Sequence, residues 1–328
     1  MMKIGNINIE RPLFLAPMEG VTDLPFRVIC KRMGAGLVYT EFIASEALIR
    51  NVKRSLDKMR LLDEERPVSV QIFGDKIDSM IESAKICEDT GADIVDINFG
   101  CWVKKVVNNN AGAAFLKEPE RLADMAEKVA QSIKIPLTVK TRIGWDKNSI
   151  KILKVTELLN DTKVAAFAVH CRTREQGMKG EADWSWLPLV KEIAKMPVIL
   201  NGDILTPQDV KRAFDETGTD AVMVARGAIG NPFIFKNAIK LLDTGILQEE
   251  PAPEERIETC LEHLRLTIEY KGFPRGLHEF RKHYSGYLKG MPNNSSIRQQ
   301  LVVMESYEEV ELRMREYLAE IESDAVLV

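Results

Sequence analysis

Short runs of branched and aromatic residues recur through the first 245 positions, separated by longer charged stretches in which apolar residues return every three or four positions. The runs suit strands buried on both faces, and the intervening spacing suits helices packed along one side. Strands are expected at 11–18, 37–40, 68–73, 92–98, 136–140, 164–170, 197–201 and 220–225. Helices are expected at about 23–31, 45–51, 76–89, 118–133, 150–160, 184–194, 206–216 and 231–244, with Thr or Asp at several starts. Eight strands alternating with helices predict an α/β fold, a (β/α)8 TIM barrel. A doubly wound sheet is disfavoured because no Gly-x-Gly-x-x-Gly follows the first run.

Beyond Glu249-Glu250-Pro251-Ala252-Pro253 only helical periodicity remains, with candidates at 254–271, 280–289, 297–304 and 308–319. The chain therefore reads as a barrel over 1–245 followed by a small all-α helical bundle over 246–328. A length of 328 residues accommodates both. No run of 18 apolar residues exists to span a membrane, and the first residues lack the apolar core of a signal peptide, so a cytoplasmic protein is expected. The five cysteines are odd in number and widely spaced, which predicts neither a disulfide framework nor a zinc site. Net charge is −4, so a polyanion would have to be met by a local basic patch. A monomer that binds no metal is expected.

The residues at the strand exits change the picture. In chain order they are Met18, Gln71, Asn98 with Cys101, Lys140, His170, then Asn201-Gly202-Asp203 and Ala225-Arg226-Gly227. Each alone has an ordinary explanation: Cys101 as a small buried hydrophobe, Lys140 as a snorkelling side chain, His170 as a core histidine, Asn201 to Asp203 as a turn. In a barrel all of them gather on one rim, where catalytic groups of this architecture sit. Gly202, Gly227 and Arg226 could hold a phosphate beside the last two strands, and Lys140 could face a ring that gains negative charge. A flavin mononucleotide or a phosphorylated sugar would satisfy them equally.

The segments Ala16-Pro17-Met18-Glu19-Gly20, Val70-Gln71-Ile72-Phe73-Gly74, Asp96-Ile97-Asn98-Phe99-Gly100-Cys101, Val139-Lys140-Thr141-Arg142, Val169-His170-Cys171-Arg172 and Asn201-Gly202-Asp203-Ile204, taken in this order, resemble the tRNA-dihydrouridine synthase family, most of all its bacterial B-type branch. The similarity continues into Phe280-Arg281-Lys282-His283-Tyr284 and spans essentially the whole chain. The resemblance implies an enzyme with FMN as cofactor that reduces the C5=C6 bond of uridines in tRNA with electrons from NADPH or NADH. It implies Cys101 as the general acid, Asn98 at the uracil, and Gln71, Lys140 and His170 at the flavin. Pro17 and Met18 would line its ring, and Asn201, Gly202, Asp203, Ala225 and Arg226 its phosphate end. A thiol near its ordinary pKa of ~8.5 is protonated at neutral pH and ready to give a proton. The chain departs from the family at Trp102, where proline is usual, and at Cys171, where glycine is usual.

The tail from 248 onward is acidic overall, with ten Lys and Arg against sixteen Asp and Glu. Within 265–298, however, seven basic residues stand against Glu269 and Glu279. Tyr270, Phe273, His278, Phe280, His283, Tyr284 and Tyr287 are interleaved with them, a composition suited to phosphate contact and base stacking. Arg281, Lys282 and His283 are the tail residues expected on tRNA, and Lys104, Lys105 and Arg174 would extend the patch around the barrel rim. The alternative is a solvated helix face over an aromatic core. Two other readings compete: a flavin reductase acting on a free pyrimidine, for which a basic tail is superfluous, and an RNA-binding barrel without redox chemistry, which would purify colourless.

Overall fold

The computed structural model describes residues 2–326. Eight parallel strands form the barrel: β1 (Leu13–Leu15), β2 (Leu37–Tyr39), β3 (Val68–Phe73), β4 (Ile94–Asn98), β5 (Leu137–Gly144), β6 (Ala166–Thr173), β7 (Val198–Asn201) and β8 (Ala221–Val224). Neighbours pair in sequence order, β8 pairs with β1, and β2 pairs with β3, so the sheet closes. Outward-facing residues such as Val70, Val95, Ile97, Val139 and Val169 are buried under the helices in one continuous core. Inward-facing residues alternate with them; Phe14, Leu37, Ile94, Ile199 and Met223 fill the lower lumen. The expected (β/α)8 TIM barrel is therefore present.

The element termini follow local chemistry. Asp23 caps the helix Leu24–Arg32 by accepting from the Phe26 amide, and Pro25 occupies its first turn. Thr206 and Asp209 form a capping box on Pro207–Thr217, which ends at Gly218 in the left-handed region. Inside the first helix Arg27, fully buried, pairs with Glu65 at 2.6 Å and also donates to the carbonyls of Thr22 and Arg60. Removing one partner of such a pair costs about 3–5 kcal/mol, because the other charge is left stranded.

Besides the unexpected short helix Lys53–Lys58 and the strand Ile43–Ala44, which pairs with the end of β3, three features differ from expectation. A hairpin of Met2–Ile4 and Ile7–Ile9 precedes the barrel, and Ile4 and Ile9 pack into its lower lumen. Strands β5 and β6 run on to Gly144 and Thr173, because Arg142 and Arg172 continue the inward alternation set by Lys140 and His170. The helix expected at 280–289 is broken into Arg275–Phe280, a tight turn over Arg281–His283, and Tyr284–Tyr287. Gly286 sits there against the backbone of Ile229 and Gly230, where a side chain has no room.

The remaining tail helices are Pro253–Lys271, Asn294–Leu301 and Tyr307–Val326. They enclose their own core of Ile257, Leu261, Leu264, Phe280, Tyr284, Tyr287, Leu301 and Met314, joined by Phe233 from the last barrel helix. The tail docks on the first barrel helix. Phe26 stacks on His263 at 5.3 Å between centroids, Lys271 pairs with Asp23 at 2.6 Å, and Arg32 pairs with Glu262 at 2.6 Å. No described helix is long and apolar enough to cross a membrane.

Candidate active site

The upper lumen is polar because every second residue near the strand exits points inward. In the ladder Asn98 pairs with Lys140, Arg142 with His170, and His170 with Asn201. These side chains and the loops above them bound a cavity of about 270 Å³ walled by Pro17, Met18, Asn98, Cys101, Trp102, Lys140, Arg142, His170, Asn201, Ala225 and Arg226. A smaller hollow shares His170, Asn201, Ala225 and Arg226 with it and reaches Gly202 and Asp203. The structure thus brings together all but one of the residues expected at the thiol and the cofactor. Gln71 is the exception, wholly buried one layer below.

Gln71 belongs to a chain of hydrogen bonds beneath the cavity floor. The Thr138 hydroxyl donates to one oxygen of Asp96 at 2.6 Å, and Gln71 Nε2 donates to the other at 2.6 Å. Gln71 Oε1 accepts from Asn98 Nδ2 at 2.9 Å, and Asn98 Oδ1 accepts the amides of Gly100 at 2.9 Å and Cys101 at 2.8 Å. Asn98 therefore folds the turn that presents Cys101, and among the described residues only one hydrogen of its amide has a protein acceptor. Burial lifts the Asp96 carboxyl to about 6, although Thr138, Gln71 and Lys140 favour its charged form.

Cys101 is more enclosed than a loop position suggests, with 8% of its surface exposed. Burial pushes its thiol up, and the Val103 amide and Arg142, which favour the thiolate, do not reverse this. The group is a protonated thiol at neutral pH. Lys140 donates to Asn201 Oδ1 at 2.9 Å, and Asn201 Nδ2 is held by the Met223 carbonyl. Burial and then Arg142 bring Lys140 down to about 8 against the pull of Asp96, which leaves it mostly charged at pH 7. His170 is driven well below its ordinary value by burial, then by Arg142, Lys140, Arg172 and Arg226. It is neutral, and its Nε2 lies 3.3 Å from an Arg172 nitrogen, which can only donate. Nδ1 of His170 therefore carries the proton.

Asp203 is tied to Arg172 at 2.7 Å through both oxygens, to the Ala182 amide at 2.8 Å and to Arg226 at 2.9 Å. Partial burial works to raise its pKa, but these donors together hold it below the usual carboxylate range. Among the described residues, the backbone amides of Asp203, Arg226 and Gly227 donate to no protein acceptor. Free amides at two adjacent strand ends, beside the Arg226 guanidinium, are a donor set for a phosphate. With Lys140, Arg142 and Arg172 nearby, the cavity suits an anionic, phosphate-bearing cofactor such as a flavin mononucleotide.

Arg142 and Arg172 were not among the residues expected here. Their signal was the period of two: each stands two positions beyond an expected residue on the same strand. Arg142 is buried and donates to the carbonyls of Gly100 at 2.8 Å, Thr173 at 2.9 Å and Gly177 at 2.8 Å, joining the β4 and β6 exit loops.

The residues expected on tRNA divide. Lys104 and Lys105 are exposed on the short helix Lys104–Val107, just beyond Cys101. Arg174 is half-buried, its guanidinium 4.6 Å above the Trp145 ring. Lys282 is exposed and reaches back to the Gly20 carbonyl, so its ammonium stands near the barrel rim. Arg281 is half-buried beside the Met304 carbonyl. His283 is enclosed by Phe26, His263 and Phe280 and cannot meet RNA from there. Phe280, Tyr284 and Tyr287 are buried with it, because positions i, i+4 and i+7 lie on the face turned to the tail core. Of the seven rings only Phe273 and His278 are exposed, and Tyr270 donates to the Asp57 carbonyl.

Comparison with known proteins agrees with this geometry. A probable tRNA-dihydrouridine synthase of Rickettsia bellii is 41% identical over 301 residues, 91% of this chain and 92% of that protein. The tRNA-dihydrouridine synthase B of Xanthomonas axonopodis pv. citri is 38% identical over 297 residues, 90% of each chain. Two solved structures share the barrel fold at low identity. An old yellow enzyme homologue from Zymomonas mobilis overlays with a TM-score of 0.50 at 15% identity, covering 79% of this chain and 94% of that one. Morphinone reductase in complex with tetrahydroNAD overlays at 0.51 and 11%, covering 77% and 92%. The family model described as dihydrouridine synthase matches residues 14–322, and with relatives this similar over most of its length the chain belongs to the dihydrouridine synthase family.

Proposed function

We propose that this protein is an FMN-dependent tRNA-dihydrouridine synthase that reduces the C5=C6 bond of specific uridines in tRNA with electrons from NADPH or NADH. The observation that carries the reading is a buried thiol, Cys101, that shares one cavity with Lys140, Arg142 and Arg226, beside a hollow reaching Gly202 and Asp203. In this reading residues 1–245 are the catalytic unit and 246–328 the tRNA-binding unit. Arg226, with the amides of Asp203 and Gly227, would hold the flavin phosphate. Lys140, His170 and Asn201 would meet its ring, Pro17, Met18 and Ala225 would give apolar contact, and Gly202 would let the backbone approach closely. Gln71 acts through Asn98.

A bound flavin would supply the hydride that adds to C6 of the uracil, with electrons drawn from the nicotinamide donor. Cys101 gives the matching proton to C5, so the double bond gains one H⁻ and one H⁺. The buried thiol holds that proton at neutral pH, and Arg142 stabilises the thiolate that remains. Asn98 fixes the loop that aims the sulfur and offers its free amide hydrogen to a uracil carbonyl. A base stacked inside tRNA cannot enter such a cavity, so it is flipped out at a cost of a few kcal/mol. Lys104, Lys105, Arg174, Arg281 and Lys282 offset that cost through phosphate contacts.

The test combines flavin identification in the purified protein with dihydrouridine measurement by mass spectrometry on undermodified tRNA. Cys101→Ala should keep FMN and its reduction by NADPH yet lose product formation on the order of 10²-fold or more. Normal yield from that variant removes the acid role, and a colourless protein removes the enzyme. Ala at Lys104 and Lys105 together should weaken tRNA binding and flatten its salt dependence.

A further inference from the structure

We propose that Trp102 is a stacking platform for the nucleobase next to the target uridine, an inference that rests on the tRNA reading above. Cys101 and Trp102 are consecutive, but the first is 8% exposed within the cavity and the second 41% exposed at its rim. One face of the indole is already covered. The ring lies against Gly177 so closely that a Cβ there would meet ring carbons at 3.1, 3.2 and 3.3 Å, and Gly177 turns with φ +58°. Any other residue at 177 would push the indole off its seat.

Arg142 fixes that seat from below. It bonds the Gly100 carbonyl of the loop carrying Trp102 and the Thr173 and Gly177 carbonyls of the loop backing it. The outer face of the ring is left to solvent in one set orientation, so stacking a flat partner on it orders little further.

The surroundings name the partner. Lys104 and Lys105 are exposed two and three residues beyond Trp102, and Lys179 is exposed on the loop that backs the ring. An exposed aromatic face with cations on its own loop and on the loop behind it fits a base carried on a phosphodiester backbone. A uracil that reacts with Cys101 must lie deeper, over the thiol, so the base that meets Trp102 is its neighbour in the strand.

The experiment compares holoprotein with Trp102→Phe and Trp102→Leu on undermodified tRNA, following flavin content, KM and kcat for tRNA, and tryptophan emission during tRNA titration. Phe, which keeps a ring, should hold KM within about three-fold of the parent, whereas Leu should raise it on the order of ten-fold or more at similar kcat. The parent's emission should be quenched by tRNA, and the Phe variant should lack that share of the quench. An unchanged KM in the Leu variant overturns the platform. So does loss of flavin or of kcat with KM intact, which would assign the ring to packing the loop. A parent protein that forms no dihydrouridine in any tRNA refutes the enzyme reading itself, and the platform with it.

Discussion

Replacing Asp96 with Asn separates two accounts of the buried chain under the active-site floor. A charged carboxylate can only accept, so Asp96 dictates the direction of everything above it: Gln71 must present its NH₂ downward and its oxygen upward, and Asn98 must follow. Asn98 is thereby left with an oxygen for the amides of Gly100 and Cys101. In Asp96→Asn one of the two acceptors becomes an NH₂. Turned to Gln71, it sets two donors face to face or turns both amides over, and then the Gly100 and Cys101 amides lose their acceptor; turned to Thr138, it meets a hydroxyl that can accept but whose own hydrogen then loses the carboxylate. Each buried group left unpaired costs about 1–3 kcal/mol. Opposing this, burial raises the Asp96 carboxyl from 3.8 to about 6. That shift means ionised Asp96 costs the fold roughly 3 kcal/mol at pH 7, a cost the neutral amide lacks.

The two effects separate with pH. A carboxyl with a raised folded pKa contributes stability that is complete below its unfolded value and is lost as pH rises through the folded one. Near pH 4 Asp96 is itself protonated and carries a donor as the amide does, so the Asn variant should match the parent within about 1 kcal/mol in urea titrations. As pH passes 6 the variant should become the more stable by roughly 3 kcal/mol, because only the parent loses stability there. Dihydrouridine yield should fall at pH 7, where the parent's carboxylate sets the direction of the chain and the amide does not. Normal yield at pH 7 would falsify the directional chain, and a stability difference that does not move with pH would remove the buried-carboxyl account.

Lys140→Met takes one charge-assisted donor from the cavity and should weaken FMN retention on the order of ten-fold or more, read from flavin absorbance after dialysis; full retention counts against a flavin contact. His263 and His283 are buried where tail meets barrel, with His263 brought to about 3 by burial, then Lys282 and Lys271, and His283 well below its ordinary value by burial, then His263, Lys282 and Lys271. Both are neutral when folded and gain protons on unfolding below about pH 6.5, so stability should drop as pH falls, by about 1.4 kcal/mol per pH unit for each histidine. His263→Leu should flatten that acid slope in urea titrations, and an unaltered slope refutes the assignment. Gly230→Ala puts a methyl against the His283 carbonyl at a left-handed φ of +62°; it should lower Tm by several degrees, and a parent-like Tm would show that the seam gives way freely.

The barrel was legible in the sequence because its outward residues repeat the same apolar signal eight times. The mouth was legible at Asn98, Cys101, Lys140 and Asn201, which interrupt otherwise apolar runs. What local pattern could not show was how far a strand continues. Arg142 and Arg172 look like loop cations until the ladder carries them inward, where each satisfies carbonyls that no other side chain reaches. The tail misled for the opposite reason. A basic and aromatic composition is the same whether rings face RNA or a core, and only the packing of Tyr284 and Tyr287 against Phe233 and Ile257 decides it.

That outcome moves the expected tRNA contact from rings to charges. With Phe280, His283, Tyr284 and Tyr287 consumed by the tail core, the tail offers tRNA mainly exposed cations such as Arg275, Lys282 and Lys289, beside exposed Phe273 and His278. Cations hold backbone without reading bases. In the proposed function, selection of one uridine then falls to shape, to how far the docked tail sets the tRNA from the cavity, and to the half-exposed indole at its rim. On that reading the seam made by Phe26, His263 and the Asp23–Lys271 pair would be part of specificity, because it would fix the distance between phosphate contacts and the thiol. Asp23→Asn, which breaks one of its ion pairs, should blur the choice among uridines in dihydrouridine mapping more than it slows turnover; unchanged site choice with slower turnover would place specificity in the barrel alone.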